Sequence, residues 1–354
     1  MVKLILVGGF LGSGKTTLLA EAAKRLTTDG KAAGLVTNDQ APELVDTRLL
    51  SRVGKGVAEV AGSCFCCNFN GFVDAVKSLI AQGAETIIAE PVGSCTDLSA
   101  TIMNPLKKFH PEWSLAPLSV LIDPKRLLEV IGGAKSIADP DALYIMELQL
   151  AESDRILISK SDLLSDTEKK NAQKLLEQKY PGKKIAFISS KTGDGISSWL
   201  AEIQAGTDAG ATIVQVDYDR YAHGEAVLGW LNATASVAPN TDGKKRLTDF
   251  LTAFHTEIKK SNSEVGHVKA SLNVNGKEWV GNLTALNGSV DVRDTEAKPG
   301  GAMMTINARA QMSPEALESL VRNLCKTLNI TIESLRCLMP GRPNPTHRFT
   351  EPVA

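Results

Sequence analysis

Residues 9–16 read GFLGSGKT, matching G-x-x-x-x-G-K-[ST], and no other stretch of the chain restricts its fold so tightly. The pattern works only where a buried strand feeds the loop and a helix leaves it. Both are legible. "KLILVGG" (3–9) is an apolar run, and after the loop Leu18, Leu19, Ala22, Ala23 and Leu26 mark one helical face that Gly30 ends. In such a loop, backbone N–H groups around Gly12, Ser13, Gly14 and Thr17 wrap phosphate oxygens, and the helix N-terminus favours the negative charge. Lys15 is expected to reach the outer phosphates and the Thr16 hydroxyl to ligate Mg²⁺.

The same alternation continues downstream. "AAGLVTN" (32–38), "GVAEVAG" (56–62), "ETIIAEP" (85–91), "LSVLIDP" (118–124), "RILISKS" (155–161) and "KIAFISS" (184–190) are short runs rich in Val, Ile and Leu. Such runs suit strands buried on both faces of a parallel sheet. Strand and helix in repeated alternation predict a doubly wound, mostly parallel α/β domain over residues 1–206, ending at the Gly/Ala-rich joint 203–211. Residues 212–354 read differently. Helical spacing at Leu247, Phe250, Leu251, Phe254 and Ile258, alternation in "VKASLNV" (268–274) and at Met304–Met312, and Ser313-Pro314 opening a helix with Leu317, Leu320, Val321 and Leu324 inward predict a smaller α+β domain. Its tail, "MPGRPNPTHRFTEPVA", has no period and is expected to be solvated, His347 and Arg348 included.

A chain of 354 residues with 43% hydrophobic and 22% charged residues is ordinary for a soluble protein. Its 39 basic and 40 acidic residues leave a net charge of −1, which gives no pull toward nucleic acid or an anionic membrane. The longest apolar run is too short to span a bilayer and leads into the lysine-bearing loop, unlike a signal peptide. Six cysteines do not make a disulfide scaffold at this length, so a reducing cytoplasm is the expected compartment.

Further loops fall where a triphosphate site needs them. Glu90 and Gly93, in "EPVG", place an acid for Mg²⁺ and a glycine N–H for a γ-phosphate after an apolar strand. Asp39, after the second strand, is a candidate for the Mg²⁺ shell or for positioning the attacking water; a turn carboxylate is the alternative. "SKSD" (159–162) is close to N-K-x-D, with Lys160 and Asp162 present and Ser159 in the Asn position. A carboxylate at Asp162 suits the N1–H and amino group of guanine, which adenine lacks. Ser190 and Lys191, in "SSKTGDG", belong to a loop similar to one that closes over the base in GTPases. GTP is therefore the expected nucleotide, with slow turnover, because no arginine finger is identifiable.

"GFLGSGKTT", "SCFCC" and "EPVGSCTD" together resemble the CobW-type branch of the CobW/HypB/UreG P-loop GTPases, and "VTND" (36–39) is similar to the matching loop of HypB and UreG. The resemblance covers residues 1–205. It implies GTP hydrolysis coupled to handling a transition metal, zinc, cobalt or nickel, for a client metalloprotein, and it admits a corrinoid-linked role.

Cys64, Cys66 and Cys67 form C-x-C-C. In an extended segment Cys64 and Cys66 share a face and Cys67 points away, so all three converge only if the chain turns, which Gly62 and Asn68 permit. A thiolate site for Zn²⁺ or Co²⁺ is the favoured reading; a redox pair or a buried structural set is the alternative. Three thiolates are one short of a closed tetrahedral site, which suits gated exchange. Cys95 is a candidate fourth ligand; a thiol from a second protomer, in a nucleotide- or metal-dependent homodimer, or a small packed residue are the alternatives. Cys325 and Cys337 read as core, His223 and His267 as structural. A P-loop small-molecule kinase and a metal-binding regulatory or storage protein remain as other classes.

Overall fold

The computed structural model describes residues 1–39, 56–132, 139–261, 263–283, 290–295 and 301–353. The first sheet holds β1 (Val2–Gly9), β2 (Ala33–Asp39), β3 (Gly56–Ala61), β4 (Thr86–Glu90), β6 (Ser119–Ile122), β7 (Arg155–Ile158) and β8 (Lys184–Phe187), in the order β3-β2-β4-β1-β6-β7-β8. Every pairing along it is parallel. A three-residue strand, β5 (Trp113–Leu115), pairs with the start of β1. Leu4 to Val7 and Ile87 to Ala89 are fully buried, as strands covered on both faces must be.

From β1 the chain builds outward to one side through β2 and β3, returns to β4, then crosses to the other side for β6, β7 and β8. The reversal lies at β1, so the crevice at its carboxyl end is where a doubly wound sheet binds ligands. The helix Lys15–Thr28 (α1) leaves that end and buries Leu18, Leu19, Ala22, Ala23 and Leu26 against the sheet. The expected doubly wound α/β architecture is what the chain adopts.

The second sheet is antiparallel, in the order β12-β11-β10-β13-β9-β14, with β9 Gly229–Ser236, β10 Val265–Val274, β11 Lys277–Leu283, β12 Asp291–Thr295, β13 Met303–Ala310 and β14 Thr331–Leu338. Register pairs Val268 with Ala308, Ala270 with Ile306 and Leu272 with Met304, so alternation puts all six on one apolar face. The helices Gly243–Ser261 and Pro314–Thr327 cover that face with Leu247, Phe250, Leu251, Phe254, Leu317 and Val321. Ser313 Oγ caps the second of them through the Ala316 N–H, with Pro314 in its first turn. Cys325 is buried in this core and Cys337 is half-buried.

Of the described residues, those up to Gly224 and those from Arg342 onward form one compact unit; Glu225–Gly341 forms the other. The sequence reading grouped the tail with residues 212–354. Instead Asn344, Thr346, Arg348, Phe349 and Val353 hydrogen-bond to elements of the first unit, so this tail is packed rather than solvated. No helix among the described residues is long and apolar enough to cross a membrane.

Candidate functional site

The loop between β1 and α1 needs its glycines. Gly9 has φ +131°, and a Cβ there would collide with Leu121 O; Gly14, at φ +97°, forms the N-cap of α1. Among the described residues no side chain caps α1, so its first-turn N–H groups face the loop, and the buried Ser13 hydroxyl has no hydrogen-bond partner among them. An uncapped helix start beside an unbonded buried hydroxyl fits an anion-binding cradle. Lys15 Nζ donates to Gly9 O at 2.7 Å and lies 3.9 Å from Glu90 Oε1; Thr16 Oγ1 donates to the same oxygen at 3.1 Å. Lys15, Thr16 and Glu90 thus converge, and the Thr16–Glu90 oxygens suit a hard divalent cation.

The loop after β4 packs on this cradle. A Cβ on Gly93 would meet Leu11 Cδ2 at 2.7 Å and Leu11 N at 3.1 Å, a close approach that only glycine fits. The buried Gln149 amide donates to Gly93 O at 3.1 Å and to Cys95 O at 2.8 Å. Three residues on, Glu152 accepts from the Thr96 hydroxyl and the Ser99 N–H, both at 2.9 Å. Burial pushes its carboxyl up to about 8. Gln149 and Glu152 share the helix Pro140–Glu152, which therefore anchors residues 93–99.

At the ends of β7 and β8, Lys160 donates to Gly12 O at 2.9 Å and sits 3.7 Å from Asp123 Oδ2. Asp162 is exposed and accepts from Ser189 Oγ at 2.7 Å; that hydroxyl also accepts from the Lys191 and Thr192 N–H groups. Ser189 thus organises the loop that carries Ser190 and Lys191. Lys191 is exposed and Ser190 half-buried. Thr17 lies half-buried in the first turn of α1, and the Asp39 side chain lies outside the described residues.

The cysteines converge. Cys67 N and Asn68 N both donate to Cys64 O, closing a turn that Gly62 enters at φ +90° and that Asn68 ends by capping the helix Phe69–Ala81. The turn rotates Cys67 back, so Cys64 Sγ lies 3.1 Å from both Cys66 Sγ and Cys67 Sγ, and those two are 3.8 Å apart. All three are free thiols. Cys95 is buried nearby, and its thiol interacts with those of Cys64 and Cys66. Neighbouring thiols donating to its sulfur draw the Cys64 pKa down, whereas Cys66 and Cys67 are held up as donors, Cys67 at about 11. Asn38, beside Asp39, secures the turn by donating to Val60 O and Ser63 O and accepting from the Phe65 N–H. A pocket of soft sulfur donors this close suits Zn²⁺ and similar metals rather than Mg²⁺.

Residues 3–187 match the CobW/HypB/UreG nucleotide-binding domain family, more than half of the chain. A curated relative, the "Zinc chaperone YeiR" of Escherichia coli (strain K12), is 29% identical over 198 residues, 55% of this chain and 57% of the relative. The match thus spans little more than half of that protein's length. Among solved structures, the Zn(II)-bound YjiA GTPase from E. coli aligns over 92% of this chain and 98% of its own at 13% identity and TM-score 0.36. HypB from Archaeoglobus fulgidus aligns over 58% and 89% at 17% identity and TM-score 0.41.

Proposed function

We propose that this chain, which belongs to the CobW/HypB/UreG family of nucleotide-binding proteins, is a GTP-hydrolysing metal chaperone. In this reading it holds a transition metal at Cys64, Cys66 and Cys67 and passes it to a client metalloprotein. The observation that carries the reading is the mutual approach of the three sulfurs, within 4.8 Å of one another, at the same sheet edge as the phosphate cradle.

Gly12, Ser13, Gly14, Lys15, Thr16 and Thr17 would hold the triphosphate, Thr16 and Glu90 its Mg²⁺, and Gly93 would meet the γ-phosphate. Asp39 would complete the Mg²⁺ shell or orient water. Lys160, Asp162, Ser190 and Lys191 would bind guanine, with Ser189 fixing Asp162. Bound Mg²⁺ would neutralise charge on the transferring phosphoryl group. The chain's own part is to hold the phosphates with the α1 N-terminus and to place the Lys15 ammonium beside them.

Zinc is the metal that the name of the E. coli relative favours; cobalt and a cobalamin-linked client are further options for the same sulfur set. A closed zinc site binds with roughly 10–16 kcal/mol, whereas coupling between sites is typically about 1–3 kcal/mol. A nucleotide can therefore gate an open three-thiolate site but scarcely a closed one. The route is short: Gly93 abuts the cradle, and two residues later the buried Cys95 interacts with Cys64 and Cys66. In this reading the site stays open, and Cys95 is a replaceable fourth ligand that approaches in one nucleotide state and is withdrawn in the other. A homodimer forming with nucleotide or metal, in the cytoplasm, completes the reading.

The test measures GTP and ATP hydrolysis with and without Zn²⁺, Co²⁺ and Ni²⁺ on the wild type and on Cys66→Ser, with metal per chain determined in the GTP and GDP forms. Metal content should differ between the two forms and fall in Cys66→Ser. Equal metal in both forms overturns the gating, and full metal in Cys66→Ser overturns the site.

A further inference from the structure

We propose that the C-terminal segment Arg342–Phe349 is a latch over the cysteine turn, and that it must lift before metal can leave. This rests on the reading of the thiols as a metal site. The segment runs without regular secondary structure along the turn. Asn344 N donates to Cys67 Sγ at 3.3 Å, Thr346 N to Cys66 O at 2.8 Å, and Thr346 Oγ1 to Cys67 O at 3.2 Å. The next residue, His347, packs its ring against Phe69 and Phe109, which fixes the segment's course on the side of the helix that follows the turn.

The fastening is Arg348. Its Nε donates to Asp97 Oδ2 at 2.7 Å and its Nη2 to Val214 O at 3.0 Å, while Tyr218 OH donates to the same Asp97 oxygen. Asp97 sits two residues after Cys95 in a left-handed conformation, φ +64°, that a side chain rarely adopts; it is 1% exposed, and its Oδ1 has no hydrogen-bond partner among the described residues. The two ends of the ion pair are unequal. Arg348 is 26% exposed and returns to water easily, but Asp97, at 1%, would be left as a buried carboxylate without its cation. Releasing Arg348 therefore drives the Asp97 loop to rearrange, and that loop carries the buried Cys95, two residues before Asp97. Lifting the tail and withdrawing Cys95 become one event. The backbone strain and half-satisfied carboxyl at Asp97 make that rearrangement accessible, because the closed loop is not at its own conformational optimum.

The experiment reads thiol access in the full, metal-free protein. Alkylation rates at Cys66, Cys67 and Cys325 are followed by mass spectrometry in the wild type, Arg348→Ala, Thr346→Val and the charge-neutral pair Asp97→Asn with Arg348→Gln. Thr346→Val keeps shape and removes one hydrogen bond, so it reports even where the arginine variant folds poorly. Losing the charge-assisted bond should speed labelling of Cys66 and Cys67 by about tenfold or more, with Cys325, in the other core, unchanged. Unchanged rates at Cys66 and Cys67, or a rise matched at Cys325, overturn the latch. In parallel, zinc-loaded protein is mixed with a chromogenic chelator, and zinc should leave the same variants faster. Zinc held equally well by Cys66→Ser would sink the metal reading instead, and the alkylation rates would still decide the latch.

Discussion

Asn38 holds Phe65: its side-chain oxygen accepts the Phe65 N–H at 2.9 Å, while its nitrogen donates to Val60 O and Ser63 O, both at 2.8 Å. One amide at the end of β2 thus ties down one backbone group of β3 and two of the loop that presents the thiols. Asn38→Ala leaves those groups unpaired, at a cost of about 1–3 kcal/mol for a buried donor. Zinc affinity should fall by tenfold or more by about that measure, while GTP affinity stays near wild type. Competition titration against a zinc chelator measures the first and calorimetry the second. Unaltered zinc affinity would remove Asn38 from the site's architecture.

Guanine selection is expected to depend on a pair, not on Asp162 alone. The carboxylate is exposed and takes its orientation from the Ser189 hydroxyl at 2.7 Å. Asp162→Ala removes the acceptor for the guanine N1–H and amino group, and the preference for GTP over ATP in kcat/KM should drop by about a hundredfold or more. Ser189→Ala leaves the acceptor but frees it, so the loss should be smaller and fall mainly in KM. A variant at Asp162 that still prefers GTP as strongly as the wild type would refute the assignment.

The legible parts were those with short-range causes. The phosphate loop is written in eight consecutive residues, and the buried strands are written in apolar runs such as Leu4–Val7. β5 has three residues, too few to show a period. Convergence of the cysteines was readable only as a condition, that the chain turn between Gly62 and Asn68; the Cys64 carbonyl accepting two N–H groups meets it. Asn38 stood in "VTND" beside the acid that drew attention. That the Ser189 hydroxyl orients Asp162 depends on the register after β8, which the sequence does not show. Arg348 and Asp97 are 251 positions apart, and nothing local in "PTHRFT" announces a buried carboxylate as its partner.

Glu152 sets a pH dependence whose sign follows from burial. Its carboxyl is pushed up to about 8 by desolvation, with Asp97 adding repulsion and the Ser99 and Thr96 bonds opposing. In the unfolded chain the same group titrates near about 4.3. Its proton-linked stabilisation is fully present below that value and is lost as pH rises through the folded value, because the folded state keeps a proton that the unfolded state has released. The slope reaches at most about 1.4 kcal/mol per pH unit for one proton. Thermal unfolding at a series of pH values from about 5 to 8 should show a falling Tm that Glu152→Gln flattens, since the amide cannot ionise and can still accept the Ser99 N–H. An unchanged slope in that variant would mean that Glu152 is ionised in the fold.

Gly93 joins the phosphate cradle to the cysteines most directly, and adding one methyl group tests the junction. In Gly93→Ala the new Cβ would sit 2.7 Å from Leu11 Cδ2 and 3.1 Å from Leu11 N. The leucine tip can swing away, but the backbone nitrogen belongs to the cradle and can yield only by moving it. A shift of a few tenths of an ångström misaligns groups that act by position, and misplacement of about 1 Å can cost a hundredfold. Turnover of GTP should fall by about ten- to a hundredfold, with a smaller change in GTP affinity because most of the loop's N–H groups keep their places. The same variant should blunt the difference in bound zinc between GTP and GDP forms, since the displaced loop runs on to Cys95. Wild-type kcat together with a wild-type zinc difference would show that the close approach of Gly93 to Leu11 is packing and nothing more.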